Sequence, residues 1–408
     1  MAPLDVMTIR LHLRGIRVLE VVEDLPERLV VAVAAISSVI RCGRCGAKTD
    51  RVHATKAVKV ADLPHAGRPT TLLWRRRRFR CRSCRATTTE SQPLFEGRMT
   101  TRLARVAVKD VADMTVSAVA RRYGLGWHQV MALVLAHGKV LAKARRRRPC
   151  RVLLVDEKAM RKGRGNFSTI LTDGDSGRVI AVIEGRSAAV LGAWLERQSP
   201  AWRRGVKVAV TDMAECYRKA IRTHLPHARH VADRFHVVRN FSKALVSARR
   251  DAQRTARGRP HVPSVFHARY LLMKRLDRLS DGDAVKLCDI FEAHPGLEVV
   301  WALVQRFHII FVAEDEEAVN EAVEDFEAAY ADAEADASVD LRRAITSFSR
   351  WGNESLAFHL SGRITNARSE GTNNKIECLE RMAYGFRSRP NYEARVLLVC
   401  CGHPAPVT

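Results

Sequence analysis

Two sets of residues in this 408-residue chain stand at spacings that suit metal chemistry. Cys42-Gly43-Arg44-Cys45 and Cys81-Arg82-Ser83-Cys84 are CxxC pairs separated by 35 residues, and each pair can offer two thiolates from a tight turn to one tetrahedral Zn²⁺. Four thiolates leave no open coordination position, so such an ion is structural. The acids are of another kind. Asp156 closes the apolar run Val152-Leu153-Leu154-Val155, and Asp212 closes Val208-Ala209-Val210-Thr211. Carboxylates from the ends of neighbouring strands can hold a divalent cation between them, because Mg²⁺ takes hard oxygen ligands and ligands gather outside strand ends. An Asp after a strand also serves as a helix cap or turn former, and these residues alone leave both roles open.

The elements that must carry these groups follow from periodicity. Alternation at residues 57–60 and 70–79 predicts short strands joining the two knuckles, with Gly43 and Gly46 in the first turn. Residues 100–143 have helical spacing, broken at Gly124-Leu125-Gly126, which is the outline of a helix-turn-helix or of a plain three-helix packing unit. In the first case residues 117–123 support a recognition helix over 127–137, and Trp127, His128 and Gln129 reach the major groove. From Arg151 the pattern predicts strands at 151–157, 166–171 and 178–183, a helix at 187–198, a strand at 206–212, a helix at 214–224, a strand at 229–232 and a helix from Asp233. The order βββαβαβα is that of a ribonuclease-H-like fold. Helical runs then follow at 266–279, 284–294 and 297–313, and the tract 314–336 holds eleven acidic residues and no Lys or Arg, as in a helix turning acid to solvent.

Charge narrows the partner. Lys and Arg number 69 against 44 Asp and Glu, a net +25, and 47% hydrophobic residues exclude a disordered chain. Residues 1–150 hold 30 Lys/Arg against 11 Asp/Glu, so most of the surplus lies in the first third. Arg75, Arg76, Arg77, Arg78, Arg80, Arg82 and Arg85 surround the second knuckle with no acid between them before Glu90, a pattern suited to phosphate. Arg145, Arg146, Arg147 and Arg148, ended by Pro149, read as a basic linker against phosphates. The other cysteines, Cys150, Cys216, Cys288, Cys378, Cys400 and Cys401, lack metal spacing and read as core residues. No run approaches the ~18 apolar residues of a membrane span, and residues 1–10 show no leader, so the expectation is a cytoplasmic protein without a membrane partner.

The motifs together resemble a known family. Two CxxC knuckles, a helix-turn-helix, Val155-Asp156-Glu157, Thr211-Asp212-Met213, Asp233-Arg234-Phe235-His236, Ser369-Glu370-Gly371-Thr372-Asn373-Asn374-Lys375 and Ala383-Tyr384-Gly385-Phe386-Arg387 are similar in order and spacing to the ISL-three type of bacterial insertion-sequence transposases, over nearly the whole chain. The resemblance implies a multidomain α+β chain. Its expected divisions are a zinc-ribbon DNA-binding domain (1–95), a helix-turn-helix and basic linker (96–149), a ribonuclease-H-like α/β core (150–250), a large all-helical insertion (251–361) and C-terminal core helices carrying the catalytic Glu (362–408). The 157 residues between Asp212 and Glu370 require that insertion.

The resemblance also implies an Asp-Asp-Glu triad of Asp156, Asp212 and Glu370. These would hold two Mg²⁺, or Mn²⁺ in their place, roughly 3.5–4 Å apart, with Asp156 bridging both. One Zn²⁺ sits on Cys42, Cys45, Cys81 and Cys84. Asp233 and His236 match an accessory D-x-x-H motif, with His236 touching the scissile phosphate, orienting an acid or packing beneath the site. Asn373, Asn374 and above all Lys375 face the DNA backbone. Glu377, two helical turns past Glu370, is its main rival, whereas Glu157 points to the opposite face of its strand. The implied activity is binding of terminal inverted repeats, strand cleavage and strand transfer into double-stranded target DNA, by a homodimer or higher multimer in the bacterial cytoplasm, nucleoid-associated when bound. A DNA-binding regulator with a relic catalytic domain, and a nuclease that cleaves without joining, fit the same residues.

Overall fold

The computed structural model describes residues 11–160, 166–256, 265–334 and 337–401, and the chain divides into one unit of residues 1–143 with 376–408 and another of residues 144–375. In the first unit the strands are β1 (Ile16–Leu25), β2 (Arg28–Ala35), β3 (Val52–His65) and β4 (Arg68–Arg80). Their order is β1-β2-β4-β3, with antiparallel hairpins joined through a parallel β2–β4 pairing. The strands expected at 57–60 and 70–79 are the middles of β3 and β4. They run on because Ala66 and Gly67 both take positive φ (50° and 78°), the two-residue turn whose twist matches a hairpin. Ile16, Leu29, Val31, Val60, Leu72 and Trp74 fill the buried face.

Three helices follow: α1 (Thr101–Asp113), α2 (Val116–Tyr123) and α3 (Trp127–Arg146). Thr100 and Thr115 cap the first two, accepting from the Leu103 and Ala118 N–H groups, and Gly124 ends α2 at φ 61°. Buried Asp62 accepts from Thr100 Oγ1 at 2.7 Å and Arg102 Nε at 2.8 Å, fixing the start of α1 to the sheet. The expected linker at Arg145–Arg148 is helical in its first half, since Ala, Lys and Arg favour helix and the first proline comes at Pro149.

The second unit is built on β5 (Val152–Ala159), β6 (Phe167–Asp173), β7 (Arg178–Glu184), β8 (Val208–Thr211) and β9 (Arg229–Ala232), in the order β7-β6-β5-β8-β9. The first three pair antiparallel, and β5, β8 and β9 pair parallel, as the βββαβαβ reading requires of a ribonuclease-H-like sheet. Helices α4 (Ala188–Glu196) and α5 (Glu215–His224) cover one face through Trp194, Leu195, Tyr217 and Ile221. From β9 the chain enters α6 (Arg234–Ala256), then α7 (Asp281–Ala293), α8 (Pro295–Ile310), α9 (Glu316–Ala333), α10 (Val339–Arg350) and α11 (Gly352–Leu360). Phe241, Phe307, Phe326 and Phe348 form the centre of this helical insertion, Phe241 and Phe307 stacking at 3.5 Å. The expected acidic helix is α9; Ala335 and Asp336 of that tract, like residues 1–10, where no leader was expected, lie outside the described residues.

Residues 266–279 are not the continuous helix their apolar spacing predicted. One turn at Arg269–Leu272 and a 3₁₀ turn at Leu276–Arg278 stand there. Buried Gln305 accepts from the Leu276 N–H at 2.9 Å and donates to the Lys274 carbonyl at 3.1 Å, satisfying backbone that a helix would have paired, and Ser280 with Asp283 makes a capping box that starts α7 afresh.

Helix α12 (Ala367–Met382) begins in the second unit and ends in the first, where α13 (Arg389–Cys401) also lies. The segment expected as one C-terminal block at 362–408 is thus shared. Its later part belongs to the first unit because α13 comes so close to α3 that a Cβ on Gly138 would meet Ala394 Cβ at 2.7 Å, and because Arg395 donates to the Met114 carbonyl at 3.3 Å.

A buried polar chain ties the insertion to the edge of the second sheet. Glu354 on α11 accepts from Arg218 at 2.7 and 2.8 Å and from Arg222 at 3.0 Å, and lies 3.8 Å from His230 Nδ1, while His230 Nε2 and Thr211 Oγ1 are 2.8 Å apart. Burial opposes the Glu354 charge, but the arginines outweigh it and hold its pKa below the usual range. Burial depresses His230 to about 4, so it is neutral here. The unfolded chain takes up this proton near pH 6.5, so the stability from a neutral His230 is present above that pH and is lost toward pH 4, at up to roughly 1.4 kcal/mol per pH unit. Urea midpoints between pH 7 and 4 should therefore fall more steeply for the wild type than for His230→Gln; parallel curves refute the assignment.

Candidate active site

The four cysteines of the two knuckles meet. Their sulfurs all lie within 4.8 Å of one another, with Cys42 to Cys84 and Cys45 to Cys81 at 3.6 Å. The Cys45 and Arg44 backbone N–H groups lower Cys42 to about 6. The Ala47 N–H lowers Cys45 too, but the Cys84 and Cys81 sulfurs outweigh it and hold Cys45 up at about 12. Backbone N–H groups lower Cys81 as well, so two readily formed thiolates stand beside a thiol that resists ionising, the arrangement a divalent, thiophilic ion relieves, and an all-cysteine tetrahedral set fits structural Zn²⁺.

Asp156 and Asp212 are brought side by side by the parallel pairing of Val155 with Thr211, each acid standing one residue further on. Burial raises both carboxyls, Asp212 to about 6, against the nearby positive His236. Asp156 is held on three sides: its Oδ1 accepts the Glu157 N–H at 2.7 Å, and its Oδ2 accepts Asn373 Nδ2 at 2.8 Å and Ser369 Oγ at 3.4 Å. Asp212 Oδ1 is buried and has no protein partner among the described residues. An unpartnered buried carboxylate oxygen is costly unless a cation or water answers it.

A cavity of about 580 Å³ opens beside Asp156, lined also by Glu370, Asn373, Asp233 and His236. Asp212 does not line it. The three acids form no group with ligand atoms all within 4.8 Å; among the described residues the cysteines are the group that does. Glu377 bonds Arg381 at 2.6 Å, and Glu157 turns to Arg186 at 3.4 Å, so the two rival carboxylates face cations elsewhere. Asp233, almost fully buried, accepts the Asn366 N–H on one oxygen at 3.0 Å and lies 2.9 Å from His236 Nδ1 with the other. That hydrogen bond, then the charges of Asp233, Asp212 and Asp156, raise the His236 pKa, although burial works against it.

The basic residues divide into those that face solvent and those the fold uses. Arg77 is half-buried and paired with buried Glu90, to which its backbone N–H also donates at 3.2 Å, and Arg76 donates to the Glu90 carbonyl at 2.9 Å. Arg75 and Arg82 lie within 3.7 Å of Glu20 and 3.0 Å of Asp50, acids distant in sequence. Arg78 bonds Thr87 and is exposed, as is Arg80. The β3–β4 register sets Lys56 opposite Arg76, and a groove of about 760 Å³ there is lined by Lys56, Lys59, Arg76, Arg78 and Arg98. Lys56, Lys59 and Arg98 were not legible as site residues; the signal lies in strand pairing. Trp127, His128 and Gln129 are exposed at the start of α3, where Gln129 Oε1 accepts the Gly126 N–H at 2.7 Å. Arg147, Arg148 and Lys375 are exposed, Arg145 is partly buried, and the Arg146 side chain lies outside the described residues. Asn373, read as facing DNA, instead bonds Asp156, and Ser369 beside it was passed over; both stand with Glu370 in the first turns of α12, a polar spacing visible in the sequence.

Comparison with known proteins agrees with this layout. Residues 153–396 match the family model of the DDE domain of ISL3 elements, described as a transposase. Residues 38–84 match a zinc-finger of the transposases of IS204, IS1001, IS1096 and IS1165, and residues 97–138 the helix-turn-helix domain of transposase family ISL3. The chain is 27% identical over 393 residues, 94% of each protein, to the transposase for insertion sequence element IS1001 of Bordetella parapertussis. It is 25% identical over 313 residues to the transposase for insertion sequence element IS1557 of Mycobacterium tuberculosis, covering 70% of this chain and 68% of that one.

Zinc should be countable. Displacing metal from the purified chain with a mercurial in the presence of a colorimetric zinc indicator should release one equivalent, Cys45→Ser should release almost none, and chelator treatment should unfold the knuckles of the wild type. A full-length chain that folds with no bound zinc refutes the centre.

Proposed function

The chain belongs to the ISL3 family of transposases, and on that premise we propose that it binds the terminal inverted repeats of its insertion sequence, cuts there, and joins the freed ends to target DNA. One observation carries the catalytic half of this reading: Asp156, inside β5, and Asp212, just past the end of β8, stand side by side with buried carboxyls, one oxygen of Asp212 lacks any described partner, and Glu370 lines a cavity with Asp156. Such oxygens suit a hard divalent cation, and Asp156, Asp212 and Glu370 would hold Mg²⁺ or Mn²⁺. Bound there, the ions supply charge stabilisation for phosphoryl transfer and favour deprotonation of the attacking hydroxyl or water.

The chain's own residues prepare that site. Asn373 and Ser369 orient Asp156 by donating to one of its oxygens. Asp233 engages His236 Nδ1 and so leaves Nε2 to the cavity, where the surrounding acids favour the imidazolium, a donor suited to a phosphate oxygen. The groove between β3 and β4, with Arg75, Arg76, Arg78, Arg80 and Arg82 around it, would take the DNA backbone. Trp127, His128 and Gln129 would read base edges, and Arg145 to Arg148 and Lys375 would follow flanking phosphates. In this reading residues 1–95 and 96–149 recognise element ends, 150–250 with the first turns of α12 carry the chemistry, and two or more copies pair the ends in the bacterial cytoplasm. No helix among the described residues is long and apolar enough to cross a membrane.

Incubating the purified chain with Mg²⁺, DNA from the flanks of its gene and a target plasmid separates three outcomes. Joined products support a transposase, free cut ends alone indicate a nuclease, and binding without cleavage indicates a regulator. Asp156→Ala, Asp212→Ala and Glu370→Ala should each bring cutting below detection with end binding nearly unchanged, whereas Glu377→Ala should cut normally; any of the three that still cuts loses its role. Asn373→Ala should bind ends normally but cut roughly 10- to 100-fold more slowly, as for loss of a group that orients a metal ligand, and a normal rate would leave Asn373 merely structural.

A further inference from the structure

Three arginines gather where the helical insertion meets the cavity of Asp156 and Glu370. Arg275 is answered by Asp277, 2.9 Å from its Nε, and Arg363 donates to the carbonyls of Val312 and Ala313. Arg234 has no carboxylate and no hydrogen-bond acceptor among the described residues, although it is partly buried. Its guanidinium packs over two rings that meet edge to face instead, 5.7 Å from Phe311 and 5.6 Å from Phe358. Burial and the neighbouring charges of Arg275 and Arg363 all disfavour a cation there. Arg234, Arg275 and His308 line the cavity, and burial, then the charges of Arg234 and Arg275, lower the His308 pKa.

A planar cation fixed by packing, surrounded by like charge and lacking an acceptor, is short of an anion, and its fork of N–H donors matches two oxygens of a phosphate. We propose that Arg234, with Arg275 beside it, is a phosphate-binding subsite for a backbone phosphate of the processed strand next to the one being cut. The cut phosphate belongs with the acids, whose charged neighbour is His236; Arg234 faces Arg275 and Arg363 of the insertion. The subsite rests on the proposed activity for its ligand, and it makes Arg234 a substrate-positioning group: it fixes the strand's register so that one phosphodiester, and not its neighbour, meets Asp156 and Glu370.

The test is a cycle between one side chain and one phosphate. Affinity of the full chain for a duplex from the flank of its gene is measured by fluorescence anisotropy without divalent cation, with single uncharged methylphosphonate linkages placed in turn along the strand. At one linkage the wild type should lose roughly 10- to 100-fold in affinity. Arg234→Gln should lose as much on the unmodified duplex and be indifferent to that linkage, and Arg234→Lys, which keeps the charge and the packed stem, should fall between. Arg234→Gln binding like the wild type, or losing affinity in step with it at every linkage, overturns the subsite. If Arg234→Gln melts early, the comparison passes to Arg234→Lys, whose coupling to the same linkage must be weaker than that of the wild type. Cleavage of the unmodified duplex with Mg²⁺ is read separately: coupling without cleavage defeats the proposed activity and spares the subsite, and cleavage without coupling does the reverse.

Discussion

The path of the second unit turns on Asp233. The chain leaves the sheet at β9 and passes through α6 to α11 of the insertion before α12 brings Glu370 back to the cavity of Asp156. Closing so long an excursion carries an entropic cost that grows only slowly with length, so a few well-placed contacts can fix its end. Asp233 supplies one at the point of departure: its backbone N–H donates to Thr211, its side chain receives the Asn366 N–H just before α12, and the same carboxylate holds His236. One buried acid thereby connects the strand that ends at Asp212, the helix that opens the insertion and the segment that closes it. Asn373 then completes the return by donating to Asp156.

Arginine in this chain has two occupations that a residue count merges. Asp62, Glu90 and Glu354 are buried acids, and each binds one or two arginines that belong to the architecture. Removing either partner of such a pair would strand a buried charge, so these arginines are constrained whatever the protein binds. Left for a polyanion are exposed arginines such as those on β4, around the knuckles and at Arg147 and Arg148, and Arg234, which is held by rings in place of an acid.

The sequence was most legible where geometry is local. Two CxxC turns can be seen because three-residue spacing sets the sulfurs, and strands at Val152–Ala159 and Val208–Thr211 were legible because buried, parallel-paired strands carry unbroken apolar runs. Contacts made across register were hidden. Nothing near Arg75 in the chain points to Glu20, and only the pairing of β3 with β4 sets Lys56 beside Arg76. Residues 266–279 misled for a related reason, since their apolar spacing is helical but Gln305, far along the chain, takes over their backbone hydrogen bonds. The role of Asn373 was obscured because its partner lies 217 residues away.

The packing of α13 against α3 has a consequence for synthesis. During translation the sheet, the knuckles and α1 to α3 emerge first, yet the surface around Gly138 and Met114 stays uncovered until Ala394 and Arg395 arrive. The unit made earliest is thus finished last, with contacts of very high sequence separation. A nascent or prematurely stopped chain would carry a complete set of zinc ligands beside an uncovered helical face, a state for chaperones and proteases to recognise. Quality control of the whole polypeptide is in this way written into its amino-terminal third.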